Sequence, residues 1–492
     1  MKLTVGAVAI CAAVLVYGLR DNHQWGDDFA QYIAHAQNLV NGKPYIDTGH
    51  LNDVSAVPAP LAYPPVTPLL LAPIVKWRGL DWRWLKLPQV VSALIAILVW
   101  AALARHYLGD GPAALLALSI GLHPITRLWS DFVMSDLIFL AQVAVAFLAL
   151  ERWIDRGAPN DSRWLHGAAI GAVIGAAILT RTVGVILLPV VPAIEWIRTR
   201  RLSGLSVAAI GVALAMTAAS FIWLPPPLAY LDDTHQGAIT LRMWRWGQWY
   251  VTDLLGMLPG IGEARARALF SWARHAAGYP EVWPVIASGV AAAIAIPITA
   301  CLAAIVAIGF LRQGRWRSFD LFGPALVVYL TTYWAYDARY VFPVLPLIYF
   351  YFYAGAERLV PVIGRMAVTT ICLIAIAANL AIVPWREYSP GVESPAAQRF
   401  LSFIRESTPP DAVVTCLHPR AIALLTGRKS YATTFASDEQ RAAALTRGAA
   451  TYAAALPMPG DDTRGFVDRH PERFRRVYSA DGFELFAIRS SK

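Results

Sequence analysis

The chain has 492 residues, with 42 Lys/Arg against 33 Asp/Glu and a formal net charge of +9. Apolar residues make up 57% and charged residues 15%, against roughly 45–50% and about 25% in soluble domains. That balance excludes a string of soluble domains, a disordered chain, a disulfide scaffold and a nucleic-acid-binding domain, and it points to an integral membrane protein with many spans.

The run MKLTVGAVAICAAVLVYGL opens the chain. Tyr17 and Leu19 stand where a signal-peptide cleavage site would need small residues, so 3–19 reads as a retained first span. A loop follows over about 20–64. In it Phe29, Tyr32, Ile33, Ala36 and Val40 recur at helical spacing with Gln31, His35 and Asn38 opposite. This predicts a short amphipathic helix on the membrane surface. The apolar stretch 63–77 holds Pro64, Pro65, Pro68 and Pro73 and reads as interfacial or re-entrant.

Ten more apolar runs lie at about 86–105, 112–128, 133–150, 164–180, 182–197, 204–224, 284–311, 319–335, 339–357 and 364–384. Most are near the ~20 residues that cross a bilayer core. With 3–19 the expectation is about eleven transmembrane helices. With the N-terminus inside, the inner turns carry Arg152, Arg156 and Arg163, then Arg198, Arg200 and Arg201, then Arg312, Arg315 and Arg317, then Arg358 and Arg365. This is the positive-inside pattern, and it accounts for the net positive charge. The loops at about 20–64 and 225–283 then face outward, as does the C-terminal tail.

The tail, 385–492, is one quarter charged, with 15 Lys/Arg and 12 Asp/Glu. The body, 1–384, is about half as dense in charge. The tail reads as a small extracytoplasmic α/β domain. Ser394-Pro395 caps a helix carrying Phe400, Phe403 and Ile404, residues 412–415 form a strand, and Gly427 closes a helix begun near Pro419. Residues 475–478 and 483–488 pair as a hairpin through Asp481-Gly482. No catalytic motif stands in it, so its default role is a lid or docking domain. Cys11, Cys301, Cys372 and Cys416 are scattered and read as buried free thiols.

Charge near membrane depth is costly and needs a reason. Asp27, Asp28, Asp131, Asp136, Arg181, Asp337 and Arg339 all fall at outward-facing span ends, from four different turns. One member of the Asp27-Asp28 pair is explained as an N-cap. Two carboxylates exceed what a cap needs, and a desolvated surplus acid suits a general base. Tyr63 returns the loop to the bilayer. Asp136 is either a second cap or a site residue, and Asp131 reads as a solvated turn. Arg181 lies in an outer hairpin, where a bound anion, snorkelling or a salt bridge would explain it. Arg339, before Tyr340, could clamp a phosphate bidentately or pair with Asp337. Asp232-Asp233-Thr234-His235 is a weak metal-ligand spacing, and Trp244, Trp246, Trp249 and Tyr250 read as an interfacial aromatic belt.

WGDDFAQYIAHAQNLVNGKPYIDTGH with AYPPVTPLLLAP resembles the first outer loop of bacterial GT-C superfamily glycosyltransferases, the polytopic enzymes related to protein O-mannosyltransferases and aminoarabinose transferases. SDLIFL, LTRTVGVILLP and RYVFPVLPL resemble later landmarks in the same order, and FLSFIRESTPPDAVVTCLHPRAIALLTGRKS resembles the outer C-terminal domain. The resemblance implies a multi-pass protein of the bacterial inner membrane whose active site faces the periplasm. It implies a polyprenyl-phosphate-linked sugar donor, a hydroxyl acceptor on a lipid, glycan or protein, and no nucleic acid. It implies that an acidic residue, Asp27 or Asp28 with Asp28 preferred, acts as catalytic base or positions the acceptor. Arg339, then Arg181, would hold the lipid phosphate, with Tyr63, Asp136 and Tyr340 lining the substrate. Some members use a divalent metal cation, for which this sequence shows no clear ligand set. The competing readings are a transporter or flippase of lipid-linked sugars and a noncatalytic scaffold. A transporter would favour mid-span charges and repeated halves; here the charges sit at span ends.

Overall fold

The computed structural model describes residues 2–52, 54, 60–155, 160–222, 224, 239–259, 261, 289–333, 336–381, 391–433 and 437–489. The chain is mostly helical with one small sheet. The body holds α1 (Lys2–Tyr17), α2 (Asp28–Asn41), α3 (Val66–Arg78), α4 (Trp82–Leu108), α5 (Asp110–Gly121), α6 (Pro124–Ser130), α7 (Asp136–Asp155), α8 (Asn160–Ile178), α9 (Leu187–Thr199) and α10 (Gly204–Ser220). It continues with α11 (Ile239–Gly256), α12 (Gly289–Leu311), α13 (Ser318–Thr332), α14 (Leu345–Ile363) and α15 (Arg365–Ala381). Short 3-10 turns at Thr182–Ile186 and Ala338–Val344 lead into α9 and α14.

Among the described residues, three helical stretches are long and apolar enough to cross a membrane: Trp82–Leu108, Asp136–Ile154 and Thr182–Thr199. Shorter apolar helices accompany them, so the expected count of eleven is not established. The run expected as one span at 112–128 divides into two. α5 ends at Gly121 and α6 starts at Pro124, whose missing N–H suits a first turn; His123 Nδ1 caps α6 by accepting the N–H of Ile125 at 3.2 Å. Val91 and Leu98 on a long apolar helix, and Leu214, Val328 and Leu373 on shorter ones, stay exposed, as lipid-facing side chains would. α8 and α10 approach closely along Gly167, Gly171 and Gly175. A Cβ on Gly171 would lie 2.4 Å from the Ala209 carbonyl oxygen, so only a residue without one allows this contact.

The loop expected at 225–283 contains α11, which the sequence reading did not foresee. Trp246, Trp249 and Tyr250, expected as an interfacial belt, wrap Tyr336, with ring centroids 5.6, 5.9 and 5.1 Å away. Trp244 alone stays largely exposed. Asp232 to His235 lie outside the described residues.

The tail folds much as its sequence suggests. It runs α16 (Pro395–Ser407), β1 (Val413–Thr415), α17 (Pro419–Thr426), β2 (Lys429–Tyr431), α18 (Asp438–Arg447), β3 (Tyr452–Ala455), α19 (Thr463–Arg469), β4 (Phe474–Ala480) and β5 (Phe483–Ile488). The sheet order is β2-β1-β3-β5-β4, parallel at β2-β1-β3 and antiparallel beyond. The hairpin turn uses Asp481 and Gly482, both at positive φ. The expected boundary at 384/385 falls within 382–390, outside the described residues.

The loop at 20–64 lies between body and tail and bonds to both. Ser430 in the edge strand β2 accepts the N–H of Leu51 at 2.8 Å and donates to Gly49 O at 3.0 Å. Trp82 Nε1 donates to Glu393 at 2.6 Å, and Val392 N–H to His23 O at 2.8 Å. One apolar cluster joins all three parts: Phe29, Ile33 and Ala36 of α2, Leu71 of α3, Leu85 of α4, and Val392 and Ala421 of the tail. α2 therefore does not lie free on a surface. Its polar face is buried under its own loop: His35 Nδ1 donates to Tyr45 O (2.7 Å) and Nε2 accepts the N–H of Tyr63 (3.2 Å), which fixes the neutral Nδ1–H tautomer.

Candidate active site

Asp27 stands at the N-cap position of α2 but makes no capping bond. Its Oδ1 instead accepts the backbone N–H of Arg420, 3.0 Å away, in the first turn of α17. A helix N-terminus has spare amides and a partial positive charge, which favours a carboxylate there. Burial pushes Asp27 up to about 6; the Arg420 charge and amide offset part of that rise.

Asp28 points the other way. Its Oδ1 accepts the Tyr63 hydroxyl at 2.5 Å, and its Oδ2 pairs with Arg339 Nη1 at 2.6 Å. Burial works to raise it, but Arg339, Tyr63 and Arg420 together hold it at about 2. Arg339 also pairs with Asp337 through Nε at 2.9 Å. So Arg339 takes both acids, where the sequence left its pairing open.

Tyr340 links the two outer arginines. The Arg181 and Arg339 guanidiniums lie 5.3 and 5.4 Å from its ring centroid. Arg181 bonds Asp136 Oδ1 at the start of α7, while Asp136 Oδ2 is buried without a hydrogen-bond partner. The 3-10 turns place these arginines: each begins at an extended residue, Arg181 and Asp337, that swings the chain inward before the next helix. Asp27, Asp28, Tyr63, Asp136, Arg181, Arg339 and Tyr340 thus meet in one network, although they come from five separate segments.

Asp131 does not join them. It is buried, not a solvated turn: Lys86 Nζ lies 2.7 Å from Oδ1 and Arg20 Nε 2.9 Å from Oδ2.

Sequence reading missed Arg420. Its side chain is only 5% exposed, its Nη1 donates to Tyr63 Oη at 2.5 Å, and its guanidinium lies 5.1 Å from the Tyr63 ring centroid. Its position right after Pro419 in the first turn of a helix was the available signal.

A family model described as dolichyl-phosphate-mannose-protein mannosyltransferase matches residues 62–223. The crystal structure of ArnT from Cupriavidus metallidurans bound to undecaprenyl phosphate superposes with a TM-score of 0.61 at 14% identity, covering 99% of this chain and 98% of that one. The chain has a GT-C fold. Two other enzymes share it. The Archaeoglobus fulgidus oligosaccharyltransferase, in complex with Zn and sulfate, gives a TM-score of 0.60 at 12% identity over 98% of this chain and 73% of that one. The mycobacterial arabinofuranosyltransferase AftD gives 0.57 at 12% identity over 100% of this chain and 42% of that one. No curated protein matches in sequence.

Within this GT-C fold, no three His, Cys, Asp or Glu side chains gather as a metal-ligand set among the described residues. Asp28 already faces two guanidiniums. A hard divalent cation needs several oxygen ligands, which this donor set does not fit, and no step below runs through a metal.

Proposed function

We propose that this protein is a membrane glycosyltransferase that moves a monosaccharide from a polyprenyl-phosphate donor to an acceptor hydroxyl. The observation that carries the reading is the Asp28–Arg339 pair at the centre of a network of two further arginines and three further acids. The undecaprenyl phosphate in the ArnT crystal and the dolichol phosphate in an Archaeoglobus AglB complex support a lipid phosphate as the donor class.

In the proposed reaction Arg339, with Arg181 across Tyr340, holds the donor phosphate. The acceptor oxygen attacks the anomeric carbon, the bond from that carbon to the phosphate oxygen breaks, and the acceptor proton passes to Asp28. The products are the glycoside, inverted at its anomeric carbon, and the polyprenyl phosphate. Asp28 is assigned as base over Asp27 on geometry: its carboxylate is partly exposed and touches the phosphate-binding arginine, whereas Asp27 is held by the tail. A resting Asp28 at about 2 is a weak base. A phosphate on Arg339 offsets the charge that depresses it, so donor binding raises its proton affinity towards the working pH. The guanidiniums then stabilise the charge that grows on the leaving phosphate.

The wider reading places the enzyme in a bacterial inner membrane, spanning it about eleven times. Residues 1–384 form the membrane unit and 385–492 the soluble domain, with the site on the periplasmic side. The acceptor is a hydroxyl of a lipid, glycan or protein. The test is to incubate purified protein with a panel of radiolabelled polyprenyl-phosphate sugars and membrane extract. Label moved to a new product supports the reading. Label that crosses a vesicle membrane on an unchanged lipid would favour the flippase instead.

A further inference from the structure

We propose that the soluble tail is a working part of the active site, and that its Arg420 is the residue that positions Asp28 through Tyr63. The inference rests on the reading of Asp28 as the acceptor base.

Burying a guanidinium is costly, and a domain that docked for packing alone would do as well with an apolar side chain at this place. Arg420 is nevertheless carried into the body at the first turn of α17. Its side-chain partners there belong to the loop at 20–64 and to α2: Tyr63 Oη at 2.5 Å, the Tyr63 ring, and Asp28 Oδ1 at 3.9 Å. Its Nη2 is buried and makes no hydrogen bond.

The bonding direction is fixed by chemistry. A guanidinium only donates, so Arg420 Nη1 occupies a lone pair of Tyr63 Oη. The single Tyr63 proton then points to Asp28 Oδ1, 2.5 Å away. With Oδ1 so held, Oδ2 faces Arg339 at 2.6 Å, and both carboxylate oxygens are oriented. The backbone N–H of the same Arg420 holds Asp27. One tail residue thus assigns the two neighbouring acids to different places.

The charged and titratable groups around Asp28 come from every side. Asp27 and Tyr32 belong to α2, Tyr63 to the loop before α3, Arg339 and Asp337 to the 3-10 turn, and Arg420 to α17. Arg181 and Asp136 lie beyond Tyr340.

Docking of the tail does not depend on the Arg420 side chain. The Gly49–Ser430–Leu51 bridge, the Trp82–Glu393 bond and the Val392–His23 bond hold it elsewhere. Side-chain removal therefore separates positioning from docking.

The experiment compares wild type, Arg420→Gln, Arg420→Lys, Asp28→Asn and a docking control, Glu393→Gln, as full-length proteins. It reads kcat, KM for the lipid-linked sugar, the pH profile of kcat at saturating donor, and Tm. Arg420→Gln is expected to lower kcat about tenfold with donor KM within about twofold, and to move the acid limb of kcat, read at saturating donor, up by about one pH unit. Arg420→Lys, which keeps the charge, is expected to return the acid limb towards wild type. Glu393→Gln is expected to lower Tm without moving the limb. An unmoved acid limb in Arg420→Gln, whether kcat holds or falls with Tm, would overturn the positioning role while an inactive Asp28→Asn leaves the base reading standing. An active Asp28→Asn removes both.

Discussion

Two buried acid–base clusters sit side by side at one end of the helical body, and they are built differently. In the first, Lys86 spends all three ammonium protons, on Arg20 O (2.9 Å), Asn22 O (2.6 Å) and Asp131 Oδ1 (2.7 Å). Asp131 uses both oxygens, with Arg20 donating to it from backbone and side chain at 3.0 and 2.9 Å. In the second, around Asp28 and Arg339, Asp136 Oδ2 and Arg420 Nη2 are buried without hydrogen-bond partners, and Asp28 keeps a quarter of its side chain exposed. A closed cluster has its valences filled by the protein and can only hold the frame. The open one retains hydrogen-bonding capacity, which buried polar groups rarely do without a reason. Charge at a span end thus does not itself mark a site; here the partly exposed Asp28 and its arginines distinguish the open cluster from the closed one.

The largest expected effect breaks the closed cluster. Lys86→Met leaves Asp131 buried without its ammonium, at a cost of about 3–5 kcal/mol. Folded yield and Tm in detergent should fall sharply, with any surviving protein keeping near-wild-type kcat. A wild-type Tm would show that the cluster does not hold the frame. In the open cluster, Arg339→Gln should leave Tm within a few degrees and weaken binding of a polyprenyl phosphate by about tenfold or more, read by competition against a labelled lipid. Unchanged affinity would move the phosphate elsewhere.

The smallest effect is a pH slope. Asp27 rises from 3.8 to about 6 on folding, chiefly through burial. The folded state therefore binds the extra proton, and stability from this group is present at low pH and lost as pH rises from about 4 through 6. Asp27→Asn should gain Tm relative to wild type at pH 7, and that gain should fade by pH 4. A constant difference across the range would place Asp27 in a more hydrated setting. Asp28 has the opposite sign: held at about 2, it contributes stability at neutral pH that is lost as pH falls from about 4 to 2.

Much of the open cluster was legible because charge is scarce in the body. Asp28, Arg181 and Arg339 stand out against apolar spans, and the network that joins them follows from their shared end of the helices. Arg420 had no such contrast, since it lies in a tail where one residue in four is charged. Its place after Pro419 in a first helical turn is a weak signal, and the docking of α17 on α2 is what singles it out. Asp131 was misread because Lys86, its partner, lies 45 positions away and looks like the start of an ordinary span. The helices and hairpin of the tail were legible from caps and Gly turns. The division of 112–128 into α5 and α6 was not, because hydropathy ran on through Pro124.

The most direct test of the account is Asp28→Asn with donor binding and sugar transfer measured on the same purified preparation. The account predicts transfer reduced by about 10²–10⁴-fold, with the labelled polyprenyl-phosphate sugar still bound by protein that stays folded, its Tm lowered only by the loss of the Asp28 ion pair. Transfer at the wild-type rate with donor bound would contradict it.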